Sequence, residues 1–214
     1  MKVEFWFDFG STYSYPAALR VESLAAAAGV PVLWRPFVLG AVFKRQGLAT
    51  SPYKQHAEME RYMWRDVARV CSDLGVPFNR PRRFPQNGLL GARVVARCAE
   101  APWVSAFVRE LFAANFEHDL DIALPDTVAH CLRCVGADAA DVIDSATTEQ
   151  AKLALRVQTD AAMALGVFGA PTLRVGDELF WGNDRLEQAL RWAVDVRTGG
   201  NGPGRDGEDP QPRG

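Results

Sequence analysis

The chain has no apolar run approaching the roughly 18–20 residues of a membrane span. Its first residues enter an apolar strand pattern directly, with no basic stretch leading into a signal-peptide core. The reading is a soluble, cytoplasmic protein. Charge of neither sign dominates: the net charge of −2 gives no reason to expect nucleic acid or an anionic membrane as partner. The dinucleotide fingerprint Gly-x-Gly-x-x-Gly is missing, and there is no internal repeat. Cysteine is sparse, with Cys71, Cys98, Cys131 and Cys134 as the full set. Without a secretory signal these are expected as free thiols.

Cys131-Leu-Arg-Cys134 has the spacing of a redox pair but not its setting. A redox pair sits after a strand, at a helix N-terminus, where the helix dipole lowers a thiol pKa. Here the pair falls inside a helical pattern opened by Pro125-Asp-Thr127. Residues three apart share a helix face, so both read as small hydrophobes, with a redox pair as the alternative. His130 is the only further ligand nearby and no second pair exists, so no metal site is expected.

What is present is a substantial core. In 214 residues, 48% are hydrophobic and 10% aromatic, enough for one domain or one domain with a large insertion. Val3, Phe5, Phe7 and Phe9 alternate while Trp6 is apolar too, which reads as a strand buried on both faces. Gly10-Ser11-Thr12 breaks it, a helix follows to Gly29, and Pro31–Pro36 is a second strand. From about 40 to 155 the pattern holds no good strand. Helices are expected over 56–74, after Asn87, from Pro102, from Pro125, from Asp138, and from Thr147 to Gly166. Residues 77–86 read as a loop. Pro171–Val175 and Glu178–Trp181, joined by Gly176-Asp177, read as a hairpin. Asn183 or Asp184 is expected to cap a last helix. Residues 199–214 are rich in Gly and Pro and read as a disordered tail. The order β-α-β, helical block, α-β-β-α is an α/β, thioredoxin-like arrangement. Residues 1–39 and 155–198 form its core unit, and 40–154 form an all-helical insertion domain.

Two elements carry the candidate chemistry. Ser11 stands between a buried strand and a helix, where free N–H groups and the dipole favour an anion. A thiolate held there would have its pKa lowered. The plain alternative is a helix cap. Ser11-Thr-Tyr-Ser14 fills the slot of a redox pair without any sulfur, so the thiol must come from elsewhere. Far downstream, Gly169-Ala-Pro-Thr172 leads into a strand. In thioredoxin-like folds this turn holds a cis X–Pro bond that leaves the backbone of Ala170 free for an extended thiol peptide. The alternative is an ordinary trans proline at a strand start. Asn183 and Asp184 suit an ammonium and the neighbouring helix terminus a carboxylate, unless they only cap. In the helical block, Lys44, Arg61 and Tyr62 are candidates for binding a carboxylate-bearing substrate beside Phe37. Lys44 and Arg61 otherwise read as solvated charges.

Taken together, these motifs resemble the 2-hydroxychromene-2-carboxylate isomerases, which group with kappa-class glutathione transferases in the DsbA-like thioredoxin fold. The resemblance covers about residues 1–196 through Phe5-Trp-Phe-Asp-Phe-Gly-Ser11, Gly40-Ala-Val-Phe-Lys44, Arg61-Tyr-Met-Trp-Arg-Asp66, Phe168-Gly-Ala-Pro-Thr172 and Phe180-Trp-Gly-Asn-Asp-Arg185. It implies glutathione as cofactor, with Ser11 at the thiolate, Ala170 and Pro171 at the cysteinyl backbone, and Asn183 and Asp184 at the γ-glutamyl end. It implies a cis–trans isomerisation of an unsaturated aromatic keto acid by thiolate addition, bond rotation and elimination. In the type reaction, a step of bacterial naphthalene breakdown, 2-hydroxychromene-2-carboxylate becomes trans-o-hydroxybenzylidenepyruvate. A homodimer is implied too, as relatives are often dimers. The chain departs from the family pattern in three places. Thr12 replaces a proline, Met59 stands where many relatives carry a lysine that reaches glutathione, and Leu48–Ser51 lacks a family asparagine. A kappa-like transferase and a non-catalytic thiol- or peptide-binding protein are the other readings.

Overall fold

The central strand explains why the first apolar run alternates imperfectly. In the computed structural model, which describes residues 1–199, β1 (Val3–Phe7) lies inside a four-stranded sheet of order β2-β1-β3-β4. It pairs in parallel with β2 (Val32–Pro36), with Phe5 opposite Trp34. On its other side it pairs antiparallel with β3 (Thr172–Val175), with Phe5 opposite Leu173. β3 turns through Gly176, at φ 61°, into β4 (Glu178–Trp181). A central strand is covered on both faces, so both faces must be apolar. Phe5 and Phe7 face the larger core, while Trp6 packs with Phe37, Val42, Ala162 and Val167.

α1 (Ser14–Ala27) joins β1 to β2. Between β2 and β3 come α2 (Leu39–Arg45), α3 (Pro52–Gln55), α4 (Ala57–Asp73), α5 (Leu89–Arg97), α6 (Val104–Phe116), α7 (Pro125–Cys134), α8 (Ala139–Thr147) and α9 (Glu149–Ala164). The larger helices follow the apolar spacing: in α4, Met63, Val67 and Cys71 recur every four residues and are buried. Asp138 caps α8 by accepting from Ala140 and Asp141 N–H, and Thr148 caps α9 by accepting from Ala151 N–H. α2 and α3 are short, and the apolar pattern of the sequence does not predict them.

After β4 a 3-10 turn (Asn183–Arg185) leads into α10 (Leu186–Arg197). The expected cap is absent there. The Asn183 Oδ1 accepts instead from Arg20 Nη1 at 3.3 Å, and the Asp184 carboxylate pairs with Arg185 at 3.0 Å. Beyond Gly199 the expected tail lies outside the described residues.

One hydrophobic cluster runs from the sheet into the helical segment. Phe112 of α6 meets Phe7 at 5.8 Å and Phe9 at 5.0 Å between ring centroids, and Phe116 stacks on Tyr15 of α1 at 5.3 Å. Among the described residues no helix is long and apolar enough to cross a membrane.

Candidate active site

The end of β1 is shaped by an aspartate turn. Asp8 Oδ1 accepts from Gly10 N–H at 2.7 Å and its carbonyl accepts from Ser11 N–H at 2.9 Å. This turn delivers Ser11 to the start of α1. Its Oγ accepts from Ser14 N–H at 3.2 Å and donates to the carbonyl of Ala170 at 2.9 Å. Ser11 therefore caps the helix and also bridges to the opposite rim. The N–H groups of Thr12 and Tyr13 have no partner among the described hydrogen bonds. With the helix dipole they make this rim electropositive.

The opposite rim is the Gly169-Ala170-Pro171 turn, where the Ala170–Pro171 bond is cis. Thr172 Oγ1 donates to the Gly169 carbonyl at 2.8 Å, and Gly182 N–H donates to the Pro171 carbonyl at 2.9 Å. Ala170 N–H has no partner among the described hydrogen bonds. The turn thus offers one free donor, and one carbonyl shared with Ser11, to whatever lies between the rims.

What lies between them is a cavity of about 1070 Å³. Its walls come from the start of α1, α2, residues 49–51 with the start of α3, one face of α4, residues 84–88 with the start of α5, Phe168–Ala170 and Trp181–Arg185. The charged residues on this wall are Asp8, Asp66, Asp184 and Arg185. Burial raises the Asp8 pKa above its ordinary 3.8, against the lowering effect of N–H donors from Leu39, at 2.9 Å, and Gly10. Tyr13 donates its hydroxyl to Asp66 Oδ2 at 2.8 Å. Burial first, and that carboxylate second, raise the Tyr13 pKa, so the phenol stays protonated. Tyr53, raised chiefly by burial, lies 6.5 Å away, ring to ring.

Of the residues singled out from the sequence, Ser11, Phe37, Ala170, Asn183 and Asp184 share the cavity wall, and Pro171 is buried in the turn beside it. Lys44, Arg61 and Tyr62 do not reach it. The reason is helical phase at about 100° per residue. Leu39, Phe43 and Gln46 turn one face of α2 to the cavity, which puts Lys44 well off that face. Met59, Met63, Asp66 and Val70 do the same for α4. Arg61 then faces away, 73% exposed at its side chain and paired with Glu58, and Tyr62, 62% exposed, lies under Arg69. Motif spacing alone missed Asp8, Tyr13 with Asp66, Arg185, and the aromatic pair Phe168 and Trp181. Asp8 and Asp66 lie inside motifs already read. Asp8 stands in an apolar run and Asp66 between arginines on a helix, and only the fold brings either to the cavity.

The Cys131–Cys134 pair lies in α7, away from this wall, with Cys131 buried and Cys134 exposed. Among the described residues no cluster of three or more His, Cys, Asp or Glu could hold a metal ion.

Comparison with known proteins agrees with this architecture. A 2-hydroxychromene-2-carboxylate isomerase of Sphingobium xenophagum is 27% identical over 193 residues, covering 90% of this chain and 98% of that protein. A glutathione S-transferase kappa 2 of Caenorhabditis elegans is 24% identical over 211 residues, covering 92% and 93%. A solved structure of a 2-hydroxychromene-2-carboxylate isomerase superposes with a TM-score of 0.83 at 26% identity, covering 93% of this chain and 98% of that one. The likeness to the isomerases expected from the motifs therefore holds over nearly the full length of both chains. A model of the DSBA-like thioredoxin domain matches residues 2–191, and the chain belongs to that family.

Proposed function

We propose that the chain is a glutathione-dependent cis–trans isomerase of an unsaturated aromatic keto acid. The observation that carries this reading is the Ser11–Ala170 hydrogen bond across a cavity with unpaired backbone N–H groups on both rims. A sulfur-free rim of this kind suits a guest thiolate and cannot itself exchange disulfides.

The residues present fit glutathione at its cysteinyl and γ-glutamyl residues. Ser11, with the Thr12 and Tyr13 N–H groups, would hold the sulfur, and Ala170, beside Pro171, the cysteinyl backbone. Asn183 and Asp184 would hold the γ-glutamyl end. Toward α4 the wall is apolar at Met59, so no cation there meets the glycyl carboxylate. When bound, glutathione would supply a nucleophilic thiol for reversible addition to a conjugated double bond, which becomes free to rotate as a single bond.

The chain's own part is electrostatic and positional. With glutathione bound, the Ser11 hydroxyl would turn its proton from the Ala170 carbonyl toward the sulfur while its oxygen kept the Ser14 N–H. Arg185, the cation on the wall, takes the substrate carboxylate in place of Lys44 and Arg61. Phe37 closes the apolar floor. A kappa-like transferase uses the same half-reaction and releases the adduct, and the Caenorhabditis relative keeps that reading as the second. The assembly we propose is a homodimer in the cytoplasm, with a small molecule as the other partner.

Calorimetry with glutathione, run with ultraviolet absorbance of the bound thiol, tests this. Wild type is expected to bind and to show thiolate at neutral pH, and Ser11→Ala to lose the thiolate signal. Product analysis with a benzylidenepyruvate then separates a rearranged isomer from a retained adduct. No binding at several times the usual cellular range would remove the cofactor and leave a non-catalytic thiol-binding protein.

A further inference from the structure

Phe168 and Trp181 are large aromatic residues left 46% and 51% exposed. They stand together on the wall that also holds Ser11 and Ala170. Trp181 ends β4, where the strand alternates: Phe180 points into the core and Trp181 points out. The indole lies over the Gly169 backbone and against Phe168, ring centroids 4.9 Å apart and planes 59° apart. Position 169 is matched to this arrangement. A Cβ there would sit 2.3 Å from Trp181 Nε1, so only glycine admits the indole over the turn. Trp181 Nε1 has no hydrogen-bond partner among the described residues, so no polar contact fixes the ring in place.

Two half-exposed rings cost free energy in water unless something covers them. Here they border the turn that presents Ala170 to the cavity. The chemistry that covers tilted aromatic faces best is another planar π-system. The same cavity, about 1070 Å³, is also lined by apolar α4 residues such as Met63 and Val70.

We infer that Trp181 and Phe168 form a stacking wall for the planar conjugated ring of the substrate, and so select aromatic over saturated-ring compounds. The inference rests on the isomerase reading for the identity of the substrate, but its test does not need turnover. Equilibrium binding of o-hydroxycinnamate, a planar conjugated ring, is compared with that of 3-cyclohexylpropionate, a saturated ring of similar size carrying the same carboxylate. Wild type, Trp181→Ala, Trp181→Phe and Phe168→Ala are measured by calorimetry, with circular dichroism to verify folding and light scattering to follow oligomeric state. Trp181→Ala is expected to weaken the planar probe about tenfold, to leave the saturated probe within about twofold, and Trp181→Phe to recover most of the loss. Equal losses for both probes, no loss for either, or a wild type that ignores the planar probe would overturn it. So would a change of oligomeric state without ring selectivity, which assigns the pair to contact between copies. Loss of glutathione binding in wild type with ring selectivity intact would sink the isomerase reading and leave this one standing.

Discussion

Asp8 carries two opposed influences on one carboxyl, and burial is the larger. Its folded pKa stands above 3.8, so the folded chain keeps this proton to higher pH than the unfolded chain does. The stability it contributes is full below 3.8 and falls as pH rises through the folded pKa. Urea unfolding of wild type against Asp8→Asn across that range should show the falling component in wild type only. The cysteines differ by burial in the same sense. Burial pushes the Cys71 thiol up to about 11 and Cys131 up to about 12, while Cys134 is exposed. Iodoacetamide on the native protein should therefore modify Cys134 first and reach Cys71 and Cys131 only after unfolding, read by mass spectrometry. Ser11 and Ala170 were legible because each marks a break between an apolar strand and its neighbour. Lys44 and Arg61 misled because a positive charge in a motif says nothing of which way the helix turns it.

Among the elements, α5 shows how little space the sheet leaves. Gly88 precedes it, and a Cβ there would lie 2.5 Å from the Cβ of Phe9, an atom with no rotamer to escape by. Gly88→Ala should shift the backbone between β1 and α5 and destabilise the fold by about 1–3 kcal/mol in chemical denaturation. Long elements were readable in advance to within a residue or two: the expected helix over 56–74 is Ala57–Asp73, and the expected hairpin strand 178–181 is β4. α2 and α3 were not, because helices of seven and four residues without side-chain caps owe their form to the walls they lean on. The start of α10 escaped for a related reason. Arg20 and Arg185 claim the two side chains that would otherwise cap it.

For the whole molecule, the shared core argues that sheet and helical segment unfold together. Far-ultraviolet circular dichroism and tryptophan fluorescence should give coincident urea transitions, and residues 40–154 expressed alone should lack cooperative unfolding. Two separated transitions would instead mark the helical segment as an independent unit. The order of elements was visible in the chain because apolar period changes where strand gives way to helix. The cavity was not, because its walls come from distant stretches that only the packing brings together. The Ser11–Ala170 hydrogen bond spans a sequence separation of 159. A compound that grips both rims therefore ties the segment after β1 to the segment before β3, two stretches on opposite sides of the helical block, like a clasp on a bracelet. Occupancy would be felt far from the chemistry, as added stability of the whole fold, because a compound that binds only the closed rims favours the folded chain.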